Sequence, residues 1–477
     1  MYDTCNPIMK TVFLLLLLFL PAHGLLNATE PAETAPEEYL TIEKAKQTAL
    51  ENNPGVQQAL ARVRSAKAIL GQAYASWFPT ISAGGGYFYR HIDMQPDWQP
   101  DTRVKEDIRE TAGNLELNWL LFNGFARRAE TLAAKYGVEQ AKKTYVDTQR
   151  LLTESVATAY YQAQLARENI RIAEKNAEFN RALEKNAMTR REIGTAPRSE
   201  MLNFSIRTVQ AESDSIQADR NYTIARTVLA ELMGAAGSEP DIAPSPAGEN
   251  REIGDTIPSY EQVIAAALEN RPDLQAVEAG INAAVQRKNA AKGSWLPSIG
   301  LTAGLNYTKQ TGADPVQAER NRYAGATASW DIFTGGKRSR VFQQKKAEVY
   351  ALEAEKQRKI LSIQSGIRQA IASAEAAREQ WKRQENALKM TQQVRDDIKL
   401  LYTTGSATLT RLNEAQTDLV RAEVLAASSK VQYLLALEKI HSESGAILNS
   451  SLPKKNIGSI EKDRENQEHK KYISDNR

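Results

Sequence analysis

Cysteine and histidine are nearly absent from this sequence of 477 residues. The one cysteine is Cys5, and the four histidines are His23, His91, His441 and His469. Zinc ribbons, iron-sulfur clusters and disulfide scaffolds need several such residues at close spacing, so the composition excludes them and predicts no resident metal or cofactor. The 61 lysines and arginines nearly balance the 58 aspartates and glutamates, which argues against nucleic acid as the main partner.

Long apolar runs are also missing, with one exception. The run 12–20 follows Lys10 and precedes the small Ala22, a pattern typical of a signal peptide over 1–24, with the cleavage site at 24 or as late as 28. No other stretch approaches the roughly 20 apolar residues of a membrane-spanning helix. The chain is therefore predicted to be exported and to meet a bilayer, if at all, through another structure.

Proline does not occur in 101–196 or in 316–452, and both spans are rich in good helix formers. Within these spans we predict long helices from Phe125 to about Ile193 and from Lys337 to about Thr404, each roughly 100 Å long at about 1.5 Å per residue. Gly194 and Gly405 end these helices, and a second helical run follows each of them. The predicted helical hairpins are 125–234 and 337–445. Shorter predicted helices, Thr41 to Ser76 and Ser259 to Ser294, open the two halves.

The two halves are copies of one another. ALENNP at 49–54 recurs as ALENRP at 267–272, and WLLFNG at 119–124 recurs as WDIFTG at 330–335. The offset is 218 residues for the first match and 211 for the second, so seven residues were lost in between. The predicted segments are a first repeat at 25–234, a proline-rich linker at 235–258, a second repeat at 259–445 and a polar tail at 446–477.

A narrow apolar stripe follows the second long helix at 3,4 spacing. Such a stripe is typical of a coiled-coil seam, and core packing is a better interpretation than a ligand groove. Its members are Ile360, Ile363, Ile367, Ala370, Ala374, Ala377 and Trp381.

Between the helices, the sequence alternates with the period of a β-strand and predicts β-hairpins at 79–122 and 297–333. Strands of about 9 to 11 residues with one apolar and one polar or small face suit the wall of a transmembrane barrel. A soluble hairpin with one buried face is the alternative. The predicted apolar face includes Leu115, Leu117, Trp119, Leu121, Ile299, Leu301, Ala303 and Leu305. The predicted external loops are 91–110 and 309–321.

Four tryptophans flank these strands in repeat-matched pairs: Trp77 with Trp295, and Trp119 with Trp330. Tryptophan is enriched at bilayer interfaces, so the four are predicted to form an aromatic belt. Packing at a strand-helix junction is the simpler alternative.

Four strands cannot close a barrel, and a bilayer does not tolerate open strand edges. A dimer would supply eight strands and an interior filled by side chains, whereas a trimer supplies twelve and leaves room for water. The polar and small inner faces favour the trimer. The predicted fold class is a mixed α and β membrane protein: a trimeric 12-stranded transmembrane β-barrel, four strands per chain, continued by a long α-helical coiled-coil tunnel.

These features together resemble the TolC-like outer-membrane efflux and secretion channels. The resemblance implies a homotrimer in the outer membrane of a Gram-negative-type envelope, with its helical tunnel in the periplasm. It also implies docking of a periplasmic adaptor and an inner-membrane transporter at the helical tips. The tip residues are Gly194, Thr195, Ala196, Gly405, Ser406 and Ala407.

The resemblance further implies a gate near the tips, held by an acid on the first hairpin and by a tyrosine and an arginine on the second. Glu200 and Tyr402 stand at the matching positions, and Glu414 matches one acidic position of the constriction. The arginine position is Ala407, and a second acidic position is Arg411. Arg198 or Arg411 would then have to supply the missing charge. Ordinary solvated helix charges are the alternative interpretation of these residues.

No enzymatic motif is present: the glycines 84–86 lack the lysine of a phosphate-binding loop, and neither His-Glu-x-x-His nor Gly-x-Ser-x-Gly occurs. The predicted function is the outer-membrane exit duct of a tripartite efflux pump or type I secretion system. The alternative is a periplasmic coiled-coil adaptor or structural spacer without a channel. The sequence specifies neither the exported substrate nor the cognate pump.

Overall fold

The computed structural model describes residues 39–95, 98, 101, 103–195, 197–238, 240–242, 257–312 and 317–447. The predicted signal peptide, most of the predicted linker and nearly all of the predicted polar tail lie outside the described residues. No helix in the described part combines the length and the apolar character that crossing a membrane requires.

The duplication is visible in the order and the length of the elements. Each half contains two short helices, two strands, a helix of 67 residues and a helix of 35 residues. In chain order these are α1 (Ile42–Asn52), α2 (Pro54–Ala75), β1 (Thr80–Met94), β2 (Val104–Asn123), α3 (Ala126–Glu192), α4 (Arg198–Leu232), α5 (Tyr260–Asn270), α6 (Pro272–Lys292), β3 (Ser298–Thr311), β4 (Gln317–Ser329), α7 (Lys337–Thr403) and α8 (Leu409–Glu443).

The short helices differ from the prediction. A single helix was expected in each half, and the structure has two, divided at Asn53 and at Arg271. Both residues precede a proline, whose ring disfavours helical geometry at the residue before it. Asn53 and Arg271 are accordingly extended, and Pro54 and Pro272 begin new helices at a position where their missing N–H group costs nothing.

The four strands form one antiparallel sheet in the order β1-β2-β3-β4. Pairing of β2 with β3 joins the two repeats, with Leu115 opposite Leu305 and Leu117 opposite Ala303. The strands run for 13 to 20 residues, longer than expected. Polar residues extend the ladder into the predicted external loops, as where His91 lies opposite Asp107, so the turns are shorter than 91–110 and 309–321.

One residue of the predicted apolar face is misplaced. The register shifts between Leu120 and Phe122, where Leu121 forms a bulge, and Phe122 lies opposite Ile299. A bulge inserts one unpaired residue and reverses the faces beyond it. Phe122 therefore continues the apolar face in place of Leu121.

The helical core repeats with the sequence. Val156, Ala159 and Ala163 of α3 are buried together with α1 and α4. Their counterparts 211 residues later, Ile367, Ala370 and Ala374 of α7, are buried with α5, α6 and α8. The predicted stripe on α7 is therefore core at its centre, and Trp381 at its lower end stacks on Tyr433 with ring centroids 5.7 Å apart.

Candidate functional site at the helical tips

Both helical hairpins turn through a glycine in the left-handed backbone conformation, which glycine adopts more readily than other residues. Gly194 and Gly405 have φ angles of 76° and 78°. The N–H of Thr195 donates to the carbonyl of Arg190 at 2.8 Å, and that of Ser406 donates to the carbonyl of Leu401 at 2.8 Å. These bonds close the last helical turn, as expected at a helix C-terminus with glycine after the cap. Ala196 lies outside the described residues.

The two hairpins of one chain pack together directly above these turns. The buried contacts come from α3, α4, α7 and α8, so the first hairpin is fixed to the second through an apolar cluster. Its buried members are Leu183, Ala187, Phe204, Ile398, Leu412 and Ala415.

A polar contact at the edge of this cluster links Glu200 to Tyr402. The hydroxyl of Tyr402 donates to Oε1 of Glu200 at 2.6 Å, and the Tyr402 ring lies edge-on to Phe204 at 6.4 Å between centroids. Burial and the hydrogen bond to Glu200 raise the pKa of Tyr402 to about 12. The phenol thus remains a hydrogen-bond donor throughout the physiological pH range.

The cation of this contact is a residue that the sequence analysis missed. Nη1 of Arg190 lies 3.1 Å from Oε1 of Glu200 and 3.4 Å from the hydroxyl of Tyr402. Among the described residues, neither Arg198 nor Arg411 makes this contact. In an antiparallel hairpin that turns near Thr195, positions 190 and 200 are equidistant from the turn. The sequence spacing could therefore have predicted the contact between Arg190 and Glu200.

Arg411 and Glu414 lie apart from this contact. They form an ion pair of 3.5 Å one helical turn apart on α8, with side chains 64% and 58% exposed. Thr408 caps the same turn by accepting from the N–H of Arg411 at 3.3 Å. The two charges therefore face solvent together. This agrees both with a role at the constriction and with ordinary solvated helix charges.

The four tryptophans lie where the sheet meets the helices. Nε1 of Trp119 donates to the carbonyl of Trp77 at 3.0 Å, and Nε1 of Trp330 donates to the carbonyl of Trp295 at 3.1 Å. Trp77, Trp119 and Trp295 are 38% to 40% exposed, and Trp330 is 59% exposed. Each pair thus packs at the junction and presents an aromatic surface outward.

A junction arginine strengthens the first of these pairs. The guanidinium of Arg127 lies 4.1 Å from the ring centroid of Trp77 and donates to the carbonyls of Ser76, Leu120 and Leu121. The bulge in β2 is therefore held by α3. In the described chain no three histidine, cysteine or acidic side chains are grouped to hold a metal ion.

The chain matches a family model described as outer membrane efflux protein over residues 45–235 and 263–446. It is 26% identical over 347 residues to the protein CyaE of Bordetella pertussis, covering 71% of this chain and 70% of that protein. It is 28% identical over 355 residues to the outer membrane efflux protein BepC of Brucella suis, covering 72% and 73%.

Solved structures have the same fold. The CmeC outer membrane channel of Campylobacter jejuni matches with a TM-score of 0.70 at 15% identity, covering 93% of this chain and 97% of that chain. The open state of the MtrE outer membrane channel of Neisseria gonorrhoeae matches with a TM-score of 0.67 at 18% identity, covering 86% and 91%. These likenesses confirm the predicted fold of the chain, in which a β-sheet is continued by long helical hairpins.

Proposed function

Because this chain belongs to the outer membrane efflux protein family, we propose that it is the outer-membrane exit duct of a tripartite efflux pump or type I secretion system. A periplasmic adaptor and an inner-membrane transporter would deliver the substrate to the helical tips. The substrate would leave through the barrel, and the transporter would select the cargo. The family consists of channel proteins, and we assign no catalytic step to the chain.

The observation that carries this proposal is the continuity of each half from the sheet to the tip. Only Gly124 and Phe125 separate β2 from α3, and both have positive φ angles, 65° and 64°. Helix α3 then runs for 67 residues, about 100 Å at 1.5 Å per residue. A sheet in the outer membrane is thereby joined to a helical tip deep in the periplasm without an intervening domain, as a duct requires and a soluble spacer does not.

We propose that three chains assemble, because the single chain leaves two strand edges unpaired and an apolar helix face exposed. Among the described residues, β1 pairs only with β2, and β4 pairs only with β3. Helix α4 also presents an apolar stripe of Ile206, Val209 and Ile216, each at least 65% exposed. Monomeric proteins rarely leave such surfaces in contact with water. Neighbouring subunits would cover both.

The end of β4 supports a seam between β4 of one subunit and β1 of the next. Strand β2 continues past Trp119 because β3 pairs with it, whereas β4 ends at Ser329, just before Trp330. Ile332 and Phe333 are consequently 82% and 86% exposed.

Arg127 and Arg338, which occupy matching positions of the two repeats, also differ in their hydrogen bonds to the end of the preceding strand. Arg127 donates to the carbonyls at the end of β2. Nη2 of its counterpart Arg338 is buried and has no hydrogen-bond partner among the described residues. Pairing with a neighbour's β1 would extend β4 and bring the carbonyls of Asp331 and Ile332 to Arg338.

The pairing of β2 with β3 is a template for the register of this seam. Leu115 lies opposite Leu305 and Gly113 lies opposite Tyr307. Shifting these pairs by the repeat offsets of 211 and 218 residues predicts that Ala326 of one subunit lies opposite Tyr87 of the next, and Ala324 opposite Tyr89.

Cysteine pairs test the seam in a chain whose one native cysteine, Cys5, lies in the predicted signal peptide. Ala326→Cys with Tyr87→Cys, and Ala324→Cys with Tyr89→Cys, should give covalent trimers after oxidation and boiling. The crossed combinations, Ala326→Cys with Tyr89→Cys and Ala324→Cys with Tyr87→Cys, are matched controls. Their residues lie a diagonal apart, too far for an unstrained disulfide.

Fractionation completes the test of function. The wild-type chain should remain in the outer-membrane fraction after a high-salt wash, run as a trimer before boiling and conduct ions in planar bilayers. Release by salt as a soluble monomer would support the spacer alternative. Crosslinking of the crossed pairs instead of the matched pairs would refute the register and leave the channel proposal standing.

We further propose that the tips form the periplasmic gate and that the Glu200 contact holds it. The support is geometric: the tyrosine of the second hairpin and the arginine of the first meet on one partly buried carboxylate, whose side chain is 15% exposed. Gly194, Thr195, Gly405 and Ser406 are exposed beside it and would be available to an adaptor.

A further inference from the structure

The charged residues of the sheet are mostly sorted by face, with Arg90 as an exception on the acidic face and Asp93 and Asp107 as exceptions on the basic face. In an antiparallel sheet the residues directly opposite one another project to the same side. The face that carries Leu115, Leu117 and Leu305 also carries Arg109, Lys309, Arg320 and Arg322. We call these four cations the basic belt. The opposite face carries the acids Glu106, Glu110, Glu116 and Glu319.

The basic belt lies one membrane thickness away from the tryptophans. Ten residues separate Trp119 from Arg109 along β2, and ten separate Trp330 from Arg320. At about 3.3 Å per residue and a tilt of about 40°, this is a height of about 25 Å, the height of the apolar band of an outer-membrane barrel. Lys309 and Arg322 lie two residues closer to the tryptophans than Arg109 and Arg320 do, and no other charged residue lies on this face between the two levels in the described strands. The belt is thus at the level of the outer headgroups.

Among the described residues, acids balance the charge of the belt only in part, through the electrostatic interaction of Arg109 with Asp107. Asp93 and Asp107, the acids described on this face, are already engaged: Asp93 with Arg103 at 3.0 Å, and Asp107 with Tyr89 and His91 at 2.7 Å each. None of the four belt residues forms an ion pair with another described residue. All four are exposed.

Apolar and aromatic surface adjoins these cations. A groove of about 440 Å³ is lined by apolar residues that include Ile81, Leu115 and Leu305, and Arg322 is also among its lining residues. Arg320 lies 5.9 Å from the ring centroid of Tyr307. An apolar groove lined in part by an arginine suits a lipid, whose acyl chain would contact the apolar residues and whose anion would contact the guanidinium.

We propose that the basic belt binds the phosphate groups of phosphorylated glycolipids in the outer leaflet. Guanidinium groups bind phosphate through paired hydrogen bonds, and lysine contributes a point charge. The proposal rests on the outer-membrane location given under Proposed function. The acids on the opposite face would repel the same anions from the channel interior. The outer face would therefore bind anionic lipid, and the inner face would tolerate cations.

The test measures lipid binding by the purified, detergent-solubilised trimer with bisphosphorylated lipid A as the probe. Native mass spectrometry of the R109Q/K309Q/R320Q/R322Q variant should show at least tenfold weaker binding than wild type. Arg90→Gln is the matched control, because Arg90 lies at a similar level but opposite Ile108, on the inner face. It should bind lipid A as wild type does.

Two further arms identify the ligand. Lipid A stripped of its phosphates should bind wild type as weakly as the intact lipid binds the fourfold variant. Inorganic phosphate at millimolar concentration should displace little of the intact lipid. Equal binding of the phosphate-free lipid, full binding by the fourfold variant, or complete displacement by inorganic phosphate would each overturn the proposal.

Channel conductance and trimer content, measured on the same samples, separate this proposal from the proposed function. A conducting trimer that binds lipid A equally well with and without its phosphates would refute only the proposed role of the basic belt. If the fourfold variant does not assemble, the double variants Arg109→Gln/Lys309→Gln and Arg320→Gln/Arg322→Gln should each weaken binding at least threefold, and unaltered binding in both would refute the belt.

Discussion

At the scale of single residues, the tip is organised around one carboxylate. Glu200 accepts from Tyr402 of the second hairpin and contacts Arg190 of its own hairpin. The pKa of Tyr402, at about 12, lies above the ordinary value of 10. A raised pKa means that this contact stabilises the fold below pH 10 and loses its contribution as the pH rises through about 12. The contact is therefore constant across physiological pH.

Removing this contact should loosen the tip. We expect Glu200→Ala combined with Tyr402→Phe to raise single-channel conductance in planar bilayers severalfold, because the first hairpin then loses its charged contact with the second at the tip and keeps only apolar packing and the amide contacts of Asn413 with Asn203 and of Gln416 with Asn176 there. Glu212→Ala is the matched control: Glu212 contacts Arg181 at 2.8 Å between the same two helices, α3 and α4, and does not involve the second hairpin. Equal conductance in wild type and in both variants would show that the Glu200 contact does not hold the gate.

At the scale of elements, the two repeats differ at the break between their short helices. The second repeat has a buried ion cluster there, and the first has a neutral hydrogen bond. Asn53 donates to the carbonyl of Leu232 at 2.8 Å. The matching Arg271 contacts Glu443, at the position that corresponds to Leu232, and adds Asp273, which also binds Lys359 at 2.9 Å. The cluster thus joins the start of α6 to α7 and to the end of α8.

Asp273 should stabilise this junction in a pH-dependent way. Burial alone raises its pKa, but Arg271 and Lys359 outweigh burial and hold the pKa well below the ordinary value. A lowered pKa contributes stability above about pH 4 that is lost as the pH falls. Asp273→Asn should cost about 3 to 5 kcal/mol at pH 7, because it leaves a buried arginine without its main partner.

Thermal unfolding at pH 7 and below pH 4 checks this expectation, since the difference between Asp273→Asn and wild type should narrow in acid. Asp396→Asn is the control: Asp396 contacts Arg395 at 3.1 Å but is 57% exposed. Its replacement should change stability by under about 1 kcal/mol. A gap that is as large below pH 4 as at pH 7 would assign the effect to packing instead of charge.

The sheet supports a second prediction at this scale, about its two faces. Leu117 lies on the outward face in the middle of the uncharged band, and its neighbour Glu116 lies on the inward face. Leu117→Arg should cost about 2 to 4 kcal/mol in the bilayer and reduce trimer assembly, whereas Glu116→Arg should be tolerated. Heat-resistant trimer in membranes is the measurement. Equal yields would contradict the assignment of the faces.

At the scale of the whole molecule, the duct has one end outside the cell and one in the periplasm. An epitope inserted in the turn between β1 and β2, within 95–103, should be bound by antibody on intact cells. The first loop is preferred to the second because Gly312 in the second has a φ of 102°, and an added Cβ there would lie 1.8 Å from the carbonyl oxygen of Asp107.

The matched control is the same epitope inserted after Thr195, at the helical tip. It should be reached only when the outer membrane is permeabilised. Labelling of both insertions on intact cells, or of neither, would contradict the proposed topology.

Local periodicity let the sequence by itself determine most of the architecture. Proline-free spans and terminal glycines set the ends of α3 and α7 to within one residue, since a helix continues until a residue breaks its hydrogen bonds. The two offsets established the duplication, and strand alternation separated an apolar from a polar face. Pro54 and Pro272 were readable breaks in the short helices as well, although the prediction ran through them.

Only the tertiary structure decided which distant residues meet. The bulge at Leu121 depends on how β2 pairs with β3, and the choice of Arg190 as the partner of Glu200 depends on how α3 and α4 pack at the tip. The basic belt also requires the strand register, because a shift of one residue would place its arginines on the inner face. Periodicity is a property of neighbours in the chain, whereas register and packing are set by contacts between elements far apart in it.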